Sequence, residues 1–137
     1  APPHPGAAAG GGLWLQVTDR PELAGNYEES SASAMFVYAL LKARELGLDI
    51  AAPAPDLFDT LVARTLRPRS GGGVEMTGIC HVAGLGRYQD RFRDGSAAYY
   101  LSEALVADDP KGVGPLMKAA AGRLGAGLDL QHELAGQ

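Results

Sequence analysis

Two polar clusters in the sequence have the residue types and spacing that ligand chemistry needs. The first is the run Tyr27-Glu28-Glu29-Ser30-Ser31, which stands where a helix is predicted to begin. Backbone N–H groups are unpaired at a helix N-terminus and the helix dipole is positive there, so carboxylates and hydroxyls at this end can meet a polar ligand such as a sugar. The alternative is structural, because Glu29 also completes a capping-box-like pair with Asn26 and the serines are small enough to pack.

The second cluster is the run Arg91-Phe92-Arg93-Asp94-Gly95-Ser96, which precedes another predicted helix. The planar donor fork of Arg93 suits a ligand carboxylate, and Asp94 beside a glycine turn can form a rigid polar corner. Alternatively, Arg93 and Asp94 form a pair that pins a long loop, while Asp94 or Ser96 caps the next helix. The sequence leaves both interpretations open.

Other candidate motifs are weaker. The adjacent pair Cys80-His81 makes neither a metal site nor a catalytic dyad, since neighbours on an extended segment point to opposite faces, and a buried thiol is the simpler interpretation. The glycine pairs at residues 84–86 and 112–114 do not extend to a complete phosphate-binding loop, and Lys111 precedes its glycine in the wrong order. We therefore expect no nucleotide site and no metal or organic cofactor.

Among the aromatic residues, Trp14 is the best candidate for stacking on a sugar ring. It precedes a polar loop and lies outside any predicted helical face. Most aromatic side chains belong to the core, so the other aromatics carry less weight as ligand contacts.

Composition restricts the classes of function. The chain has 137 residues, 12 Lys and Arg, 16 Asp and Glu, a formal net charge of −4 and one cysteine. A mildly acidic chain without a basic block is a poor candidate for binding nucleic acid, because that binding rests on neutralising phosphates. One cysteine excludes an intrachain disulfide and any multi-cysteine zinc site. The sequence shows neither a run of the ~18–20 apolar residues that would span a membrane nor a secretion signal, which favours a cytoplasmic location.

The strongest predicted helix begins at Asn26 and ends at Gly47. Its apolar residues follow at spacings of three and four along one face, which includes Met35 and Phe36, while Val37 and Leu41 make the other side apolar too. A helix that is apolar nearly all round is buried on several sides. A second, more polar helix follows residues 53–56 and stops before Pro68, so the two predict an inner and an outer helix.

The remaining elements predict a mostly helical chain with one extended segment. Residues 74–82 are strand-like but interrupted by Gly78, and a glycine-rich loop then runs to Ser96. A short helix is expected over residues 97–106, and a last helix from Gly112 to Gly125 or Gly127. Residues 1–12 are predicted to be a flexible low-complexity lead-in, residues 13–128 the folded part and residues 129–137 a tail.

Several of these segments together resemble the unsaturated glucuronyl and rhamnogalacturonyl hydrolases, glycoside hydrolase families 88 and 105. The resemblance is carried in order by Gly12-Leu13-Trp14-Leu15-Gln16-Val17, Gly25-Asn26-Tyr27-Glu28-Glu29-Ser30-Ser31-Ala32-Ser33-Ala34-Met35, Cys80-His81-Val82-Ala83-Gly84-Leu85-Gly86, Arg93-Asp94-Gly95-Ser96, Tyr99-Tyr100-Leu101-Ser102-Glu103 and Asp109-Pro110-Lys111-Gly112-Val113-Gly114-Pro115. It spans roughly residues 12–122. Glu28 stands where the family usually has an apolar residue, and Arg87 where a glycine is common.

The resemblance implies an all-α fold, the C-terminal portion of an (α/α)6 barrel in which six inner helices are ringed by six outer ones. It also implies an enzyme that removes the unsaturated uronic acid from lyase-generated oligosaccharides, with rhamnogalacturonan fragments favoured, by hydrating the C4=C5 double bond. The family's catalytic Asp lies upstream of the matched region, so we expect a fragment that is inactive alone. The catalytic residue is unknown here, and the expected substrate-binding residues are Trp14, Glu29, Ser30, Arg93 and Asp94.

A partial barrel would leave an apolar helix face exposed, through which the chain could associate. Two alternatives remain open on the sequence. One is a non-catalytic helical module that binds a partner or itself through that face. The other is a related (α/α)6 sugar epimerase or isomerase, which would need paired histidines at the barrel mouth where only His81 is available.

Overall fold

The computed structural model of the protein describes residues 12–48 and 54–135. Four helices appear in these ranges, in agreement with the number expected. They are α1 (Ser30–Glu45), α2 (Ala54–Thr65), α3 (Ala97–Leu101) and α4 (Pro110–Ala135). The predicted lead-in lies outside the described residues, apart from Gly12.

Six short strands accompany the helices in the described part of the chain, more than the one short extended segment that the sequence predicts, and the chain is otherwise helical as predicted. They are β1 (Leu66–Pro68), β2 (Val74–Met76), β3 (Ile79–Cys80), β4 (Gly86–Tyr88), β5 (Arg91–Arg93) and β6 (Leu105–Val106). They pair antiparallel as β1 with β2, β3 with β6 and β4 with β5. Strands of two or three residues are too short to show a hydrophobic alternation, which is why only the 74–82 segment was predicted to be extended.

Helix boundaries also differ from the expected ones. The N-cap of α1 is Glu29, whose side chain accepts a hydrogen bond from the N–H of Ala32, so the helix does not begin at Asn26. The Asn26 side chain instead binds the backbone of Val17 and Arg20 and thereby closes the preceding turn. The helix ends as predicted, with Leu46 as C-cap and Gly47 in the left-handed region at φ +70°.

The predicted helices over residues 97–106 and from Gly112 onward do not end where the sequence indicates. The segment predicted as a helix over residues 97–106 is helical only to Leu101, because β6 follows it and pairs with β3. The last helix runs to Ala135 and does not end at Gly125 or Gly127. A glycine inside a helix costs only about 1 kcal/mol relative to alanine, and α4 continues through both glycines.

The hydrophobic core lies where α1 packs against α4, α2 and β3. Its buried side chains come from these elements, from β2 and from the residue before Trp14: Leu13, Ala34, Val37, Leu41, Leu61, Met76, Ile79 and Ala119. On α1 the buried side is therefore the one with Val37 and Leu41. Met35 and Phe36, which the spacing placed on a buried face, are 46% and 44% exposed.

A close contact between α4 and β3 leaves no spare room in this core. Gly112 is buried, and a Cβ atom there would stand 2.6 Å from Cδ1 and 2.9 Å from Cγ1 of Ile79. Ile79 is itself fully buried, so it has little room to move. Further along the same helix, Gly125 has nothing within 4 Å of the corresponding position.

These two glycines give a matched test of the packing. Gly112→Ala is expected to lower the free energy of unfolding by about 1–3 kcal/mol, because the added methyl overpacks the core against Ile79. Gly125→Ala is expected to raise it by up to about 1 kcal/mol, since alanine is the better helix former and a Cβ atom there has open space around it. Urea denaturation of both variants checks the prediction, and equal effects at the two positions would contradict it.

Candidate functional site

The Glu29 carboxylate is buried and fully engaged inside the chain. It is 3% exposed. Its Oε2 accepts from the N–H of Ala32 at 2.6 Å, its Oε1 accepts from the N–H of Cys80 at 2.9 Å, and the Ser31 hydroxyl donates to both oxygens at 2.9 Å. Its acceptor positions are taken up by the fold, but Glu29 acts as the N-cap of α1 itself and not as the capping-box partner of Asn26.

Ser30 also serves the fold. Its hydroxyl donates to the carbonyl oxygen of Thr77 at 2.6 Å, and its backbone N–H donates to the carbonyl of Gly78 at 3.0 Å. The fit is tight, because a Cβ atom at Gly78 would lie 2.7 Å from the Ser30 hydroxyl oxygen. Ser30 thus joins the start of α1 to the link between β2 and β3, and Glu29 joins it to β3 itself.

Among the predicted site residues near the start of α1, Trp14 is the one that remains partly open to solvent. Its backbone is fixed, since its carbonyl accepts from the N–H of Glu29 at 2.9 Å and its N–H donates to the Ser33 hydroxyl at 3.1 Å. Its half-buried ring lies against Phe36, with a centroid separation of 5.0 Å. Trp14 therefore presents an aromatic surface next to α1.

A small cluster of polar side chains surrounds the single cysteine, Cys80, near the start of α1. Cys80 is 4% exposed, and burial raises the pKa of its thiol. Burial likewise raises the pKa of Tyr27, whose hydroxyl has no hydrogen-bond partner among the described residues. The side-chain amide of Gln16 donates weakly to the Cys80 sulfur at 3.7 Å. A buried, protonated thiol is chemically quiet, as the simpler interpretation held, and His81 is exposed on the other side.

Arg93 is held by backbone oxygens rather than by a carboxylate. Its Nη2 donates to the carbonyl of Leu85 at 2.9 Å and its Nε to the carbonyl of Gly86 at 3.3 Å. The guanidinium lies 4.8 Å from the ring centroid of Tyr88 on the same hairpin. Gly84 has no room for a side chain, because a Cβ atom there would stand 2.5 Å from Nη1 of Arg93. The cation is fixed in place.

Arg93 and Asp94 do not pair with each other. Oδ1 of Asp94 accepts from the N–H of Ser96 at 2.9 Å, and this bond lowers the pKa of the Asp94 carboxyl. Ser96 then caps α3 by accepting from the N–H of Tyr99 at 3.1 Å, as expected. Among residues 12–48 and 56–125, whose side chains the structure describes, no carboxylate stands within ion-pair distance of Arg93.

A second arginine, Arg91, supports the hairpin from below. It makes a short charge-assisted hydrogen bond to Glu103, whose side chain is 5% exposed, and this contact holds the pKa of Glu103 below its usual range. The hydroxyl of Tyr99 accepts from the N–H of Gly84 at 3.1 Å. Sequence reasoning gave Glu103 no role and considered Tyr99 only as one of several aromatic residues that could stack on a sugar ring, although both stand in a motif that carries the family resemblance.

An open groove lies beside the hairpin, and sequence reasoning missed it. Its lining comes from two segments far apart in the chain: Gln16, Val17, Thr18, Asp19 and Arg20 on one side, and Gly95, Ala97 and Tyr100 on the other. The juxtaposition depends on tertiary packing, so local sequence patterns could not reveal it.

Metal-binding clusters and membrane-spanning helices are both absent from the described part of the chain. No group of three or more His, Cys, Asp or Glu side chains is arranged there to hold a metal ion. None of the helices in the described ranges combines the length and the apolar character needed to cross a membrane.

Comparison with solved structures defines the class of protein. The fold matches a glycoside hydrolase from family 105 of C. acetobutylicum ATCC 824 with a TM-score of 0.78 and 39% sequence identity, over 86% of this chain and 33% of that one. This arrangement of helices and short strand pairs is thus that of a glycoside hydrolase. Residues 9–125 match the model for glycosyl hydrolase family 88, and the chain belongs to that family.

Curated relatives agree in sequence but are longer. Protein Atu3128 of Agrobacterium fabrum is 51% identical over 117 residues, which are 80% of this chain and 50% of that protein. The 24.9 kDa protein in the picA locus of Rhizobium radiobacter gives the same identity and the same coverage. The chain therefore spans about half the length of these relatives and a third of the solved hydrolase.

Removing the charge from Glu29 tests whether it holds this corner together. Glu29→Gln keeps the shape but replaces one acceptor oxygen by a donor and weakens the charge-assisted bonds, so we expect a loss of about 1–3 kcal/mol in unfolding free energy. Glu45→Gln in the same helix removes an exposed pair with Lys42 and is expected to change stability by less than about 0.5 kcal/mol. Thermal or urea melts compare the two, and equal losses would argue against the role of Glu29.

Proposed function

We propose that the chain is part of a glycoside hydrolase that removes an unsaturated uronic acid from the non-reducing end of lyase-generated oligosaccharides, with rhamnogalacturonan fragments favoured. Membership of glycosyl hydrolase family 88 and the likeness to a family 105 hydrolase support the proposal. In the reaction, C4 of the C4=C5 double bond gains a proton and C5 gains the hydroxyl of water. The resulting hemiketal opens, and the bond from C1 to the linking oxygen breaks to release the next sugar.

The observation that carries the proposal is how the Arg93 guanidinium is held. A guanidinium without a carboxylate partner among the described residues, fixed by two carbonyl oxygens and the Tyr88 ring, is prepared to accept an external anion. The carboxylate of a uronic acid is such an anion, and the geometry of a guanidinium matches it. In this proposal Arg93 binds the uronate and holds it at the hairpin.

The other predicted site residues then divide into two roles. Trp14 offers its ring to the apolar face of a sugar, because that ring remains partly exposed. Glu29 and Ser30 support the wall from behind, since their polar atoms bind the backbone of Ala32, Cys80 and Thr77. Asp94 fixes the turn after Arg93 by its bond to Ser96.

The predicted site residues include no suitable proton donor. Hydrating the double bond needs a carboxyl that is protonated at the working pH, which calls for a raised pKa. The Ser96 N–H lowers the pKa of Asp94, and Glu29 is occupied by three donors. We therefore propose that the 137-residue chain alone does not catalyse the reaction, and that the acid belongs to another part of the complete enzyme.

The exposed apolar side of α1 favours association with another helical surface. Met35 and Phe36 are nearly half exposed, and Phe36 extends the aromatic surface of Trp14. We propose that this face packs on neighbouring helices of an (α/α)6 barrel in the complete enzyme. The same face would also serve a non-catalytic helical module, and the binding experiment below separates the two.

Binding of galacturonate tests the role of Arg93. Arg93→Gln is expected to weaken the binding of sodium galacturonate at least about tenfold, because a charge-assisted bidentate contact of about 1.5–3 kcal/mol is lost. Arg87→Gln removes the same charge from an exposed position of β4 and is expected to stay within about twofold of the original chain. Titration followed by two-dimensional NMR measures both. Equal weakening by both variants, or no galacturonate binding at all, would favour the interaction module over the hydrolase.

Activity of the isolated chain tests the missing acid. Incubation with an unsaturated rhamnogalacturonan disaccharide is expected to leave the absorbance of the C4=C5 double bond unchanged, because the acid that protonates C4 is proposed to lie in another part of the complete enzyme. Measurable loss of that absorbance, reproduced with independently purified protein, would contradict the proposal that the acid lies elsewhere.

A further inference from the structure

The segment Gly84-Leu85-Gly86 forms a close-fitting cradle around the Arg93 guanidinium. The carbonyl of Leu85 accepts from Nη2 at 2.9 Å, and the carbonyl of Gly86 accepts from Nε at 3.3 Å. Gly84 lies against the third nitrogen, because a Cβ atom there would stand 2.5 Å from Nη1. All three side-chain nitrogens of Arg93 therefore meet the cradle, and the position of the guanidinium follows the position of residues 84–86.

The cradle is fastened at its first residue to a buried tyrosine. The N–H of Gly84 donates to the hydroxyl oxygen of Tyr99 at 3.1 Å. Tyr99 is held in turn, since its ring is buried and packs against the Tyr100 ring with a centroid separation of 5.0 Å. Because the hydroxyl accepts from Gly84, its own proton is left for a different acceptor, and a hydroxyl that both accepts and donates has a fixed orientation.

The carboxylate that interacts with this tyrosine is Glu103. Arg91 and, with a smaller effect, Tyr99 hold the pKa of Glu103 below its usual range by donating to it. Glu103 is buried, so its charge is stable only while such donors surround it. The Arg91 guanidinium also lies over the Tyr99 ring, 5.6 Å from its centroid. The connection therefore runs from Arg91 and Glu103 through Tyr99 to the cradle.

The charges along this connection leave one cation for a ligand. Arg91 is bonded to Glu103, so these two charges balance each other inside the chain. The group that fastens the cradle is a neutral hydroxyl, and it holds the segment around Arg93 without placing a carboxylate beside it. Arg93 is thus fixed in position but keeps its charge for an anion from outside.

We propose that Tyr99 and Glu103 are positioning residues for uronate binding, which act through Gly84 to hold the Arg93 guanidinium where a ligand carboxylate can meet it. The inference rests on the proposed function, because it takes the uronate as the anion at Arg93. Neither positioning residue touches the ligand. Removing the Tyr99 hydroxyl frees the cradle, so the long Arg93 side chain must be ordered when the ligand binds, at a cost in affinity.

The first test removes this hydroxyl and keeps the ring. In the full chain, Tyr99→Phe is expected to weaken the binding of sodium galacturonate about threefold to tenfold, while Tyr38→Phe in α1 stays within about twofold as a matched control. Two-dimensional NMR titration, with sodium chloride at equal ionic strength as the blank, measures both. The Nε–H signal of Arg93, identified by its loss in Arg93→Gln, is expected to exchange faster with water in Tyr99→Phe and not in Tyr38→Phe.

A double-mutant cycle separates positioning from a general structural role. If Tyr99 acts through Arg93, adding Tyr99→Phe to Arg93→Gln changes galacturonate binding by less than about a further twofold. Glu103→Gln keeps the shape of the side chain and removes its charge, and is expected to weaken binding and speed the exchange of the Arg93 signal as Tyr99→Phe does. Gly84→Ala reaches the cradle directly. Its methyl displaces only the tip of a flexible side chain, so the chain is expected to stay folded and to lose at least about threefold in affinity.

The outcomes separate this inference from the proposed function. A Tyr99→Phe variant that keeps both the Arg93 signal and the galacturonate affinity overturns the positioning role, and the proposed function stands as long as Arg93→Gln weakens binding. Equal weakening by Tyr99→Phe with and without Arg93 also overturns it. If Tyr99→Phe loses its folded NMR spectrum, unchanged affinity in Gly84→Ala overturns the inference instead. A chain that binds no galacturonate overturns both.

Discussion

The arrangement of the described chain depends on satisfying one buried negative charge. The Glu29 carboxylate has almost no contact with water, and an ion in that position is stable only if donors surround it. Its donors come from the first turn of α1 and from the N–H of Cys80 in β3. The fold must therefore bring β3 against the start of α1. The bond from Ser30 to Thr77 adds to the same junction.

That constraint decides which residues remain for a ligand. Because the polar atoms of Glu29 and Ser30 are bound within the chain, the proposed contact with a uronate falls to Arg93 on the hairpin. The hairpin is in turn supported by Glu103 and Tyr99, whose bonds reach Arg91 and Gly84. The residues that hold the site are thus distinct from the residue proposed to bind the ligand.

Sequence reasoning predicted what depends on local patterns and family motifs. The existence of α1, its end at Gly47 and the cap at Ser96 follow from spacing and capping chemistry, although its start at Ser30 does not, and the resemblance to families 88 and 105 is confirmed. It failed where tertiary contacts decide. Which side of α1 is buried depends on where α4 packs, so Met35 and Phe36 were misplaced. The strand pairs and the groove join segments that are distant in sequence, and no periodicity encodes them.

The position of Cys80 has a consequence for following the motions of the molecule. It is the single cysteine of the chain, and it lies buried directly behind the carboxylate that anchors α1. A thiol reagent can reach its sulfur only when that junction opens, so the rate of alkylation measures how often the start of α1 separates from β3. The protein thus carries an intrinsic reporter of local breathing at its anchoring point, with no label to be engineered.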